Sequence, residues 1–91
     1  MRLSFSKIKI IVFLFRNDLR LCYKCLANKI GEKDSNVAVH LNDLKKKGVI
    51  QDTDFICEGE NCQSSLKAKT YALTNKGRQW GQILEKKRVI K

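Results

Sequence analysis

Apolar residues recur along this chain at two spacings, which predict helices in some stretches and strands in others. Spacings of three and four residues predict a first helix that begins at a Ser6 cap and ends near Arg16. Because this helix is apolar nearly all round, we expect it to be buried on more than one side. Alternating spacing predicts two strands, over residues 50–56 and 67–73, joined by a polar loop.

Glycines and capping residues predict where the other helices begin and end. Gly31 and Gly48 are typical of the residue that follows a helix. Asp34 or Ser35 is predicted to cap a third helix, and Thr74 is predicted to cap the last one. The predicted order is helix, short strand, helix, helix, hairpin and helix, over residues 6–16, 19–21, 23–29, 36–47, 50–73 and 75–88.

The third predicted helix has one apolar face and one polar face. Val37, Leu41 and Leu44 share the apolar face and are predicted to point into the core. A chain of 91 residues can bury one core, so residues 1–91 are predicted to form a single α+β domain. The opposite face of the third helix carries Ser35, Val39, Asn42 and Lys46.

Three short segments carry a resemblance that covers most of the chain. Residues 26–31 read Leu-Ala-Asn-Lys-Ile-Gly, and residues 34–50 read Asp-Ser-Asn-Val-Ala-Val-His-Leu-Asn-Asp-Leu-Lys-Lys-Lys-Gly-Val-Ile. Residues 71–78 read Tyr-Ala-Leu-Thr-Asn-Lys-Gly-Arg. In this order and spacing they resemble the winged helix-turn-helix regulators of the MarR and ArsR families. In size and composition the chain also resembles small regulators of archaea and of archaeal viruses.

The resemblance implies a fold and a function. The fold is a winged helix-turn-helix, with a three-helix core, a β-hairpin wing and a C-terminal helix. The helix-turn-helix would span about residues 22–47, the wing about 50–73 and the last helix about 75–88. The implied function is transcriptional regulation through binding of double-stranded DNA, with the third helix in the major groove and wing lysines on the phosphate backbone.

The charge of the chain indicates an anionic partner. Lysine and arginine total 19 against 9 acidic residues, a formal net charge of +10. Nucleic acid is the first partner this favours, and a membrane surface the second. One histidine, no glycine-rich phosphate loop and scattered carboxylates give no catalytic set, so we do not expect an enzyme. Two alternatives remain: a winged-helix module for protein contacts in a transcription or replication complex, and an RNA-binding or membrane-surface protein.

Polar and basic residues of the third helix and the wing are the candidate DNA contacts. Asparagine can bond adenine bidentately, whereas lysines contact phosphates and set register. The resembled families often carry Ser and Arg where this chain has Ala38 and Val39, which can pack on a thymine methyl but cannot hydrogen-bond through their side chains. The predicted contacts are Lys33, Ser35, Asn36, Val39, His40, Asn42, Lys45, Lys46, Lys67 and Lys69.

The four cysteines occur as two pairs, Cys22 with Cys25 and Cys57 with Cys62. We favour a disulfide between Cys57 and Cys62 that closes the wing loop, and no cofactor, because a wing tip normally projects away from the second helix. A zinc site made by all four cysteines is the first alternative, since a Cys-x2-Cys followed by a second pair is a zinc pattern. Four free thiols are the second alternative.

The apolar run at residues 10–15 is too short to span a membrane, which needs about 20 residues. It is also short for the core of a signal peptide, and no small-residue cleavage site follows it, so we expect an intracellular protein with no membrane partner. The two end helices carry more apolar surface than one small domain can readily cover, so a homodimer is predicted. The residues predicted at its interface are Phe13, Leu14, Trp80, Ile83 and Leu84.

Overall fold

Four α-helices and a two-stranded hairpin make up the described part of a computed structural model of the protein, which comprises residues 4–17, 19–59, 62 and 69–86. Their order agrees with the sequence prediction. The short strand predicted at residues 19–21 is reduced to a single bridge between Leu21 and Tyr71. The elements are α1 (Phe5–Arg16), α2 (Tyr23–Ile30), α3 (Asp34–Lys46), β1 (Ile50–Thr53), β2 (Thr70–Leu73) and α4 (Asn75–Lys86).

The glycines end two helices as predicted, but the first helix begins differently. Gly31 and Gly48 follow α2 and α3 with φ of 72° and 75°, a left-handed conformation that glycine adopts without a Cβ clash. Ser4, not Ser6, caps α1, because the Ser4 hydroxyl accepts the backbone N–H of Lys7 at 3.3 Å. Helix α1 therefore starts two residues earlier than a cap at Ser6 would allow.

The start of α3 also differs from the prediction of a cap at Asp34 or Ser35. The helix begins at Asp34 itself, and Lys33 takes the cap position without a side-chain cap bond. Asp34 still stabilises the first turn of the helix, because its carboxylate lies at the positive end of the helix dipole. Ser6 has a different partner: its hydroxyl donates to Glu32 at 2.9 Å and ties α1 to the turn before α3.

The first strand of the hairpin is shorter than the alternating pattern predicts. Strands β1 and β2 pair antiparallel from Ile50↔Leu73 to Thr53↔Thr70. The first strand was predicted to reach residue 56 but ends at Thr53. Beyond that point the buried hydroxyl of Thr70 donates to the carbonyl of Phe55 at 3.0 Å, so a side chain replaces the backbone ladder. The chain then leaves the hairpin toward the segment before α2.

Helix α1 lies in the middle of the core, which explains its apolar character without a second subunit. In the described residues, no helix, α1 included, has the length and apolar content to cross a membrane. Burial of each large aliphatic side chain contributes about 1.5–3 kcal/mol. The predicted inward face of α3 is confirmed, with Val37, Leu41 and Leu44 at most 1% exposed. The buried residues of α1 are Ile10, Ile11, Val12 and Leu14.

The corner between β2 and α4 explains the Leu-Thr-x-x-Gly pattern. Thr74 caps α4 as predicted, accepting the N–H of Gly77 at 3.1 Å, while its own N–H donates to the carbonyl of Val49 at 3.1 Å. A Cβ on Gly77 would lie 2.1 Å from that same carbonyl oxygen, so only glycine fits. One turn later, Gly81 makes room for the ring of Phe15. Helix α4 can therefore pack closely on α1 and on the residue before β1.

Candidate nucleic-acid interface

The outward side of α3 is an uncovered polar surface, which we call the α3 outer face: Ser35, Asn36, Val39, Asn42 and Lys46. All five side chains are exposed, Val39 by 61%. They point outward because the three aliphatic residues of α3 occupy the core side of the helix. The face thus combines two amides, a hydroxyl, an apolar contact and a cation.

Two residues beside the outer face are half-buried instead. Asp43 forms an ion pair with Lys7 of α1 at 3.3 Å. His40, a predicted DNA contact, is half-buried, and its Nδ1 is buried without a hydrogen-bond partner in the described part of the chain. Hydrogen bonds from Lys9 and Ser6 lower the pKa of Glu32, with a smaller contribution from His40. His40 therefore lies apart from the outer face.

A groove separates α3 from the wing. One of its residues, Asp52, is not among the predicted contacts. Its walls include Asn42 and Lys45 from α3 and Asp52 and Tyr71 from the hairpin. Lys45 Nζ lies 2.6 Å from a carboxylate oxygen of Asp52, and this hydrogen bond raises the pKa of Lys45. The opposite charges at residues 45 and 52 could have signalled the pair, but their proximity depends on how the wing folds onto α3.

Of the two predicted wing lysines, the one that the structure describes is also paired with a carboxylate. Lys69 precedes β2, is exposed, and lies 3.3 Å from Asp54. Lys67, the other predicted wing contact, lies outside the described residues. Lys33 is exposed at the start of α3 and, in contrast to Lys45 and Lys69, sits at the positive end of a helix. Among the predicted lysine contacts that the structure describes, Lys45 and Lys69 are each held by a carboxylate. Lys33 and Lys46 are exposed, and neither forms an ion pair within the described residues.

The described residues of the wing loop, 54–59 and 62, turn toward the start of α2, contrary to the prediction that the wing tip projects away from this helix. Glu58 donates its N–H to the carbonyl of Arg20 at 2.8 Å, and its carboxylate accepts the N–H of Arg20 at 2.8 Å. This pairing brings Cys57 and Cys62 to Cys22 and Cys25. The predicted disulfide between Cys57 and Cys62 is wrong for this structure, in which none of the four cysteines forms an S–S bond.

The four sulfur atoms form one cluster, in which every Sγ lies within 4.8 Å of the other three. Burial raises the pKa of the Cys25 thiol, and hydrogen bonds from the other cysteines raise it further. Burial also raises the pKa of Cys57, although backbone N–H groups of Cys22 and Gly59 act in the opposite direction. The cluster joins the base of the wing to the first turn of α2.

The predicted dimer residues divide into covered and uncovered ones. Leu14 is 8% exposed and packs in the core of its own chain, which leaves little of its side chain for contact with a second copy. Phe13, Trp80 and Leu84 are half-buried and pack against the same core. Ile83, on the outer side of α4, is 52% exposed and could meet a second copy.

No family model and no curated protein matches this sequence, whereas several solved structures share its fold. FabT from Streptococcus pneumoniae, in complex with DNA, has a TM-score of 0.73 at 16% identity, over 96% of this chain and 55% of its own. The MepR–DNA complex from S. aureus has a TM-score of 0.73 at 14% identity, over 92% of this chain and 63% of its own. The transcriptional regulator SlyA has a TM-score of 0.73 at 17% identity, over 94% and 55%.

The chain therefore spans little more than half the length of these structures. At such low identity the similarity concerns the fold. It agrees with the resemblance in the sequence: helices α1 to α4 and the hairpin have the order of the winged helix-turn-helix. The fold of this protein is the winged-helix fold of the MarR-type transcription regulators.

Proposed function

We propose that this protein is a transcription regulator that binds double-stranded DNA as a homodimer, with α3 in the major groove. The observation that carries the proposal is the α3 outer face, a row of exposed polar and basic side chains on a helix whose other side is fully buried. The net charge of +10 supports an anionic partner, and two structures of the same fold were solved with DNA.

The chemistry of the outer face suits a duplex. Asn36 and Asn42 can each pair with an adenine edge, and Val39 can pack on a thymine methyl. The backbone N–H groups at the start of α3, with Lys33 beside them, favour a phosphate, and Lys46 can reach a second one near the other end of the helix. We expect moderate base preference set by the amides and most of the affinity from the backbone contacts.

The wing has a secondary part in this proposal. Its lysines at residues 67 and 69 would contact the phosphate backbone beside the major groove. Asp52 and Asp54 lie on the same hairpin and hold Lys45 and Lys69 in the free protein. Binding would exchange each of these exposed ion pairs for a lysine–phosphate contact, at a modest cost because exposed pairs contribute at most about 1 kcal/mol.

A salt titration of DNA binding tests the proposal. We expect fluorescence anisotropy with a random-sequence duplex to show binding that weakens steeply as salt rises. Six to ten phosphate contacts per dimer correspond to a slope of about −5 to −9 in a plot of log K against log salt. Selection of bound sequences from a random pool should then enrich a two-fold symmetric site. The control is duplex RNA of the same sequence, whose deep, narrow major groove excludes α3.

Three outcomes would contradict the proposal. If the affinity for duplex DNA hardly changes between low and moderate salt, the basic surface is not the cause of binding. Equal affinity for duplex RNA would favour the RNA-binding alternative over a major-groove reader. A folded protein that binds no nucleic acid at low salt would leave the protein-contact module as the better account of the same fold.

A further inference from the structure

The cysteine cluster brings together groups that are distant in the sequence. Cys22 occupies the cap position of α2 and Cys25 lies in its first turn, whereas Cys57 follows β1 and Cys62 lies further along the wing loop. These are the only cysteines of the chain, so every thiol it possesses is in the cluster. Such convergence of all four indicates a shared ligand.

The spacing of the sulfur atoms matches a single tetrahedral ion. Zinc–thiolate bonds of about 2.3 Å in tetrahedral geometry place neighbouring sulfurs about 3.8 Å apart. Cys22 Sγ and Cys62 Sγ are 3.8 Å apart, and none of the six pairs exceeds 4.8 Å. A disulfide needs about 2.05 Å, so the cluster is too open for an S–S bond and closely fits one ion.

The backbone around the cluster is arranged for sulfur that carries negative charge. Cys57 Sγ accepts the N–H of Cys22 at 3.3 Å and the N–H of Gly59 at 3.4 Å. Backbone donors of this kind tune and stabilise metal-bound thiolates. A Cβ on Gly59 would lie 2.6 Å from Cys25 Sγ and 2.9 Å from Cys25 Cβ. A side chain at residue 59 would therefore displace Cys25 from its place in the cluster.

We infer that Cys22, Cys25, Cys57 and Cys62 bind one Zn²⁺ in a closed site that fastens the wing loop to α2. Each thiol that binds as thiolate releases its proton to solvent, and no electron is transferred. Because four protein ligands complete a tetrahedron, no position remains for substrate or water, and the site is structural. It would fix the angle between the wing and the helix-turn-helix. The two elements can contact the same partner together only if this angle is kept.

Metal analysis of the wild-type chain is the first test. The protein is purified without chelator and examined by native mass spectrometry and elemental analysis, and we expect one zinc per chain. Replacement by Co²⁺ should give the visible bands of tetrahedral cobalt and the near-ultraviolet bands of thiolate ligands. A folded protein that has four titratable thiols and takes up neither ion would overturn the inference, as would two disulfides or a stoichiometric iron in place of zinc.

Variants of the loop separate metal binding from folding. Cys62→Ser should weaken Co²⁺ binding by at least about a hundredfold, since it removes a direct ligand rather than an outer-shell group. Gly59→Ala should also lose metal, although all four thiols remain. Ile56→Ser is the matched control, because this exposed residue lies in the same loop and should retain one zinc per chain. Wild-type zinc affinity in Cys62→Ser would contradict the four-cysteine site, and the wild-type measurement decides the matter if that variant does not fold.

Discussion

Asn36 and Lys46 share the α3 outer face but would contact different parts of a duplex. The amide of Asn36 can distinguish an adenine, whereas the ammonium of Lys46 meets a phosphate that every sequence provides. We expect Asn36→Ala to cost about 1–3 kcal/mol on the selected sequence and little on random DNA. Lys46→Ala should weaken binding to both duplexes alike and reduce the salt slope by about one. Anisotropy titrations on the two duplexes measure both effects.

Controls for these two variants lie on α4. Gln79→Ala removes an exposed amide, and Lys86→Ala removes a cation beside the Arg16–Glu85 ion pair. Neither should alter base preference. If Asn36→Ala and Lys46→Ala bind both duplexes as the wild type does while remaining folded, α3 is not the helix that contacts DNA.

The wing and α3 are coupled by one carboxylate that faces the groove. Asp52 neutralises Lys45 in the free protein and presents negative charge to any phosphate that approaches. Asp52→Asn should therefore tighten DNA binding at low salt, by about 1 kcal/mol or about fivefold, because it frees a cation and removes a repulsion. The gain should shrink as salt rises, since the charges are exposed.

Asp54→Asn is the matched control for this effect. It removes the same charge from the same limb of the hairpin, but the Asp54 side chain is 96% exposed and its partner is Lys69 rather than a residue of α3. Its effect on affinity should be clearly smaller. Weaker binding by Asp52→Asn would instead mean that the carboxylate itself contacts a base, as a carboxylate can with the amino group of cytosine.

Elements with a periodic apolar face could be predicted from the sequence, and contacts that depend on tertiary approach could not. Val37, Leu41 and Leu44 identify the buried side of α3, and hence its outer face, from spacing alone. Two serines two residues apart, Ser4 and Ser6, offer equivalent local cap signals, and only the chain path around Glu32 distinguishes them. Local propensity is similar for both, so tertiary packing decides.

The cysteines illustrate the same limit more strongly. Spacing presents Cys57 and Cys62 as a local pair, and the disulfide prediction followed from that. The structure pairs their loop with Arg20 through backbone hydrogen bonds, which no local pattern in either segment announces. Lys45 and Asp52 are likewise seven residues apart in different elements, and their contact exists only because the wing lies beside α3.

For the whole molecule, we expect DNA binding to depend on both the basic charge of each chain and the two-fold symmetry of the dimer. One chain offers a single outer face, whereas regulators of this fold class read two half-sites about 34 Å apart through a two-fold axis. The described surface provides an apolar position for such an axis on α4, where Ile83 is 52% exposed. Leu84 is a poorer position than Ile83 for testing the dimer. It packs against the core of its own chain, so its replacement would also disturb folding.

We therefore expect sedimentation at micromolar concentration to show two copies of the 10.5 kDa chain, and Ile83→Glu to shift it to the monomer. The variant should stay folded, since a charge at an exposed site disturbs no core contact. Its DNA binding should fall by about tenfold or more and its salt slope by about half, because each copy supplies half of the phosphate contacts. Gln82→Glu adds the same charge one position away on α4 and should remain dimeric. A wild-type protein that sediments as a monomer rules out the dimer, and a dimer that Ile83→Glu leaves intact places the interface on another surface.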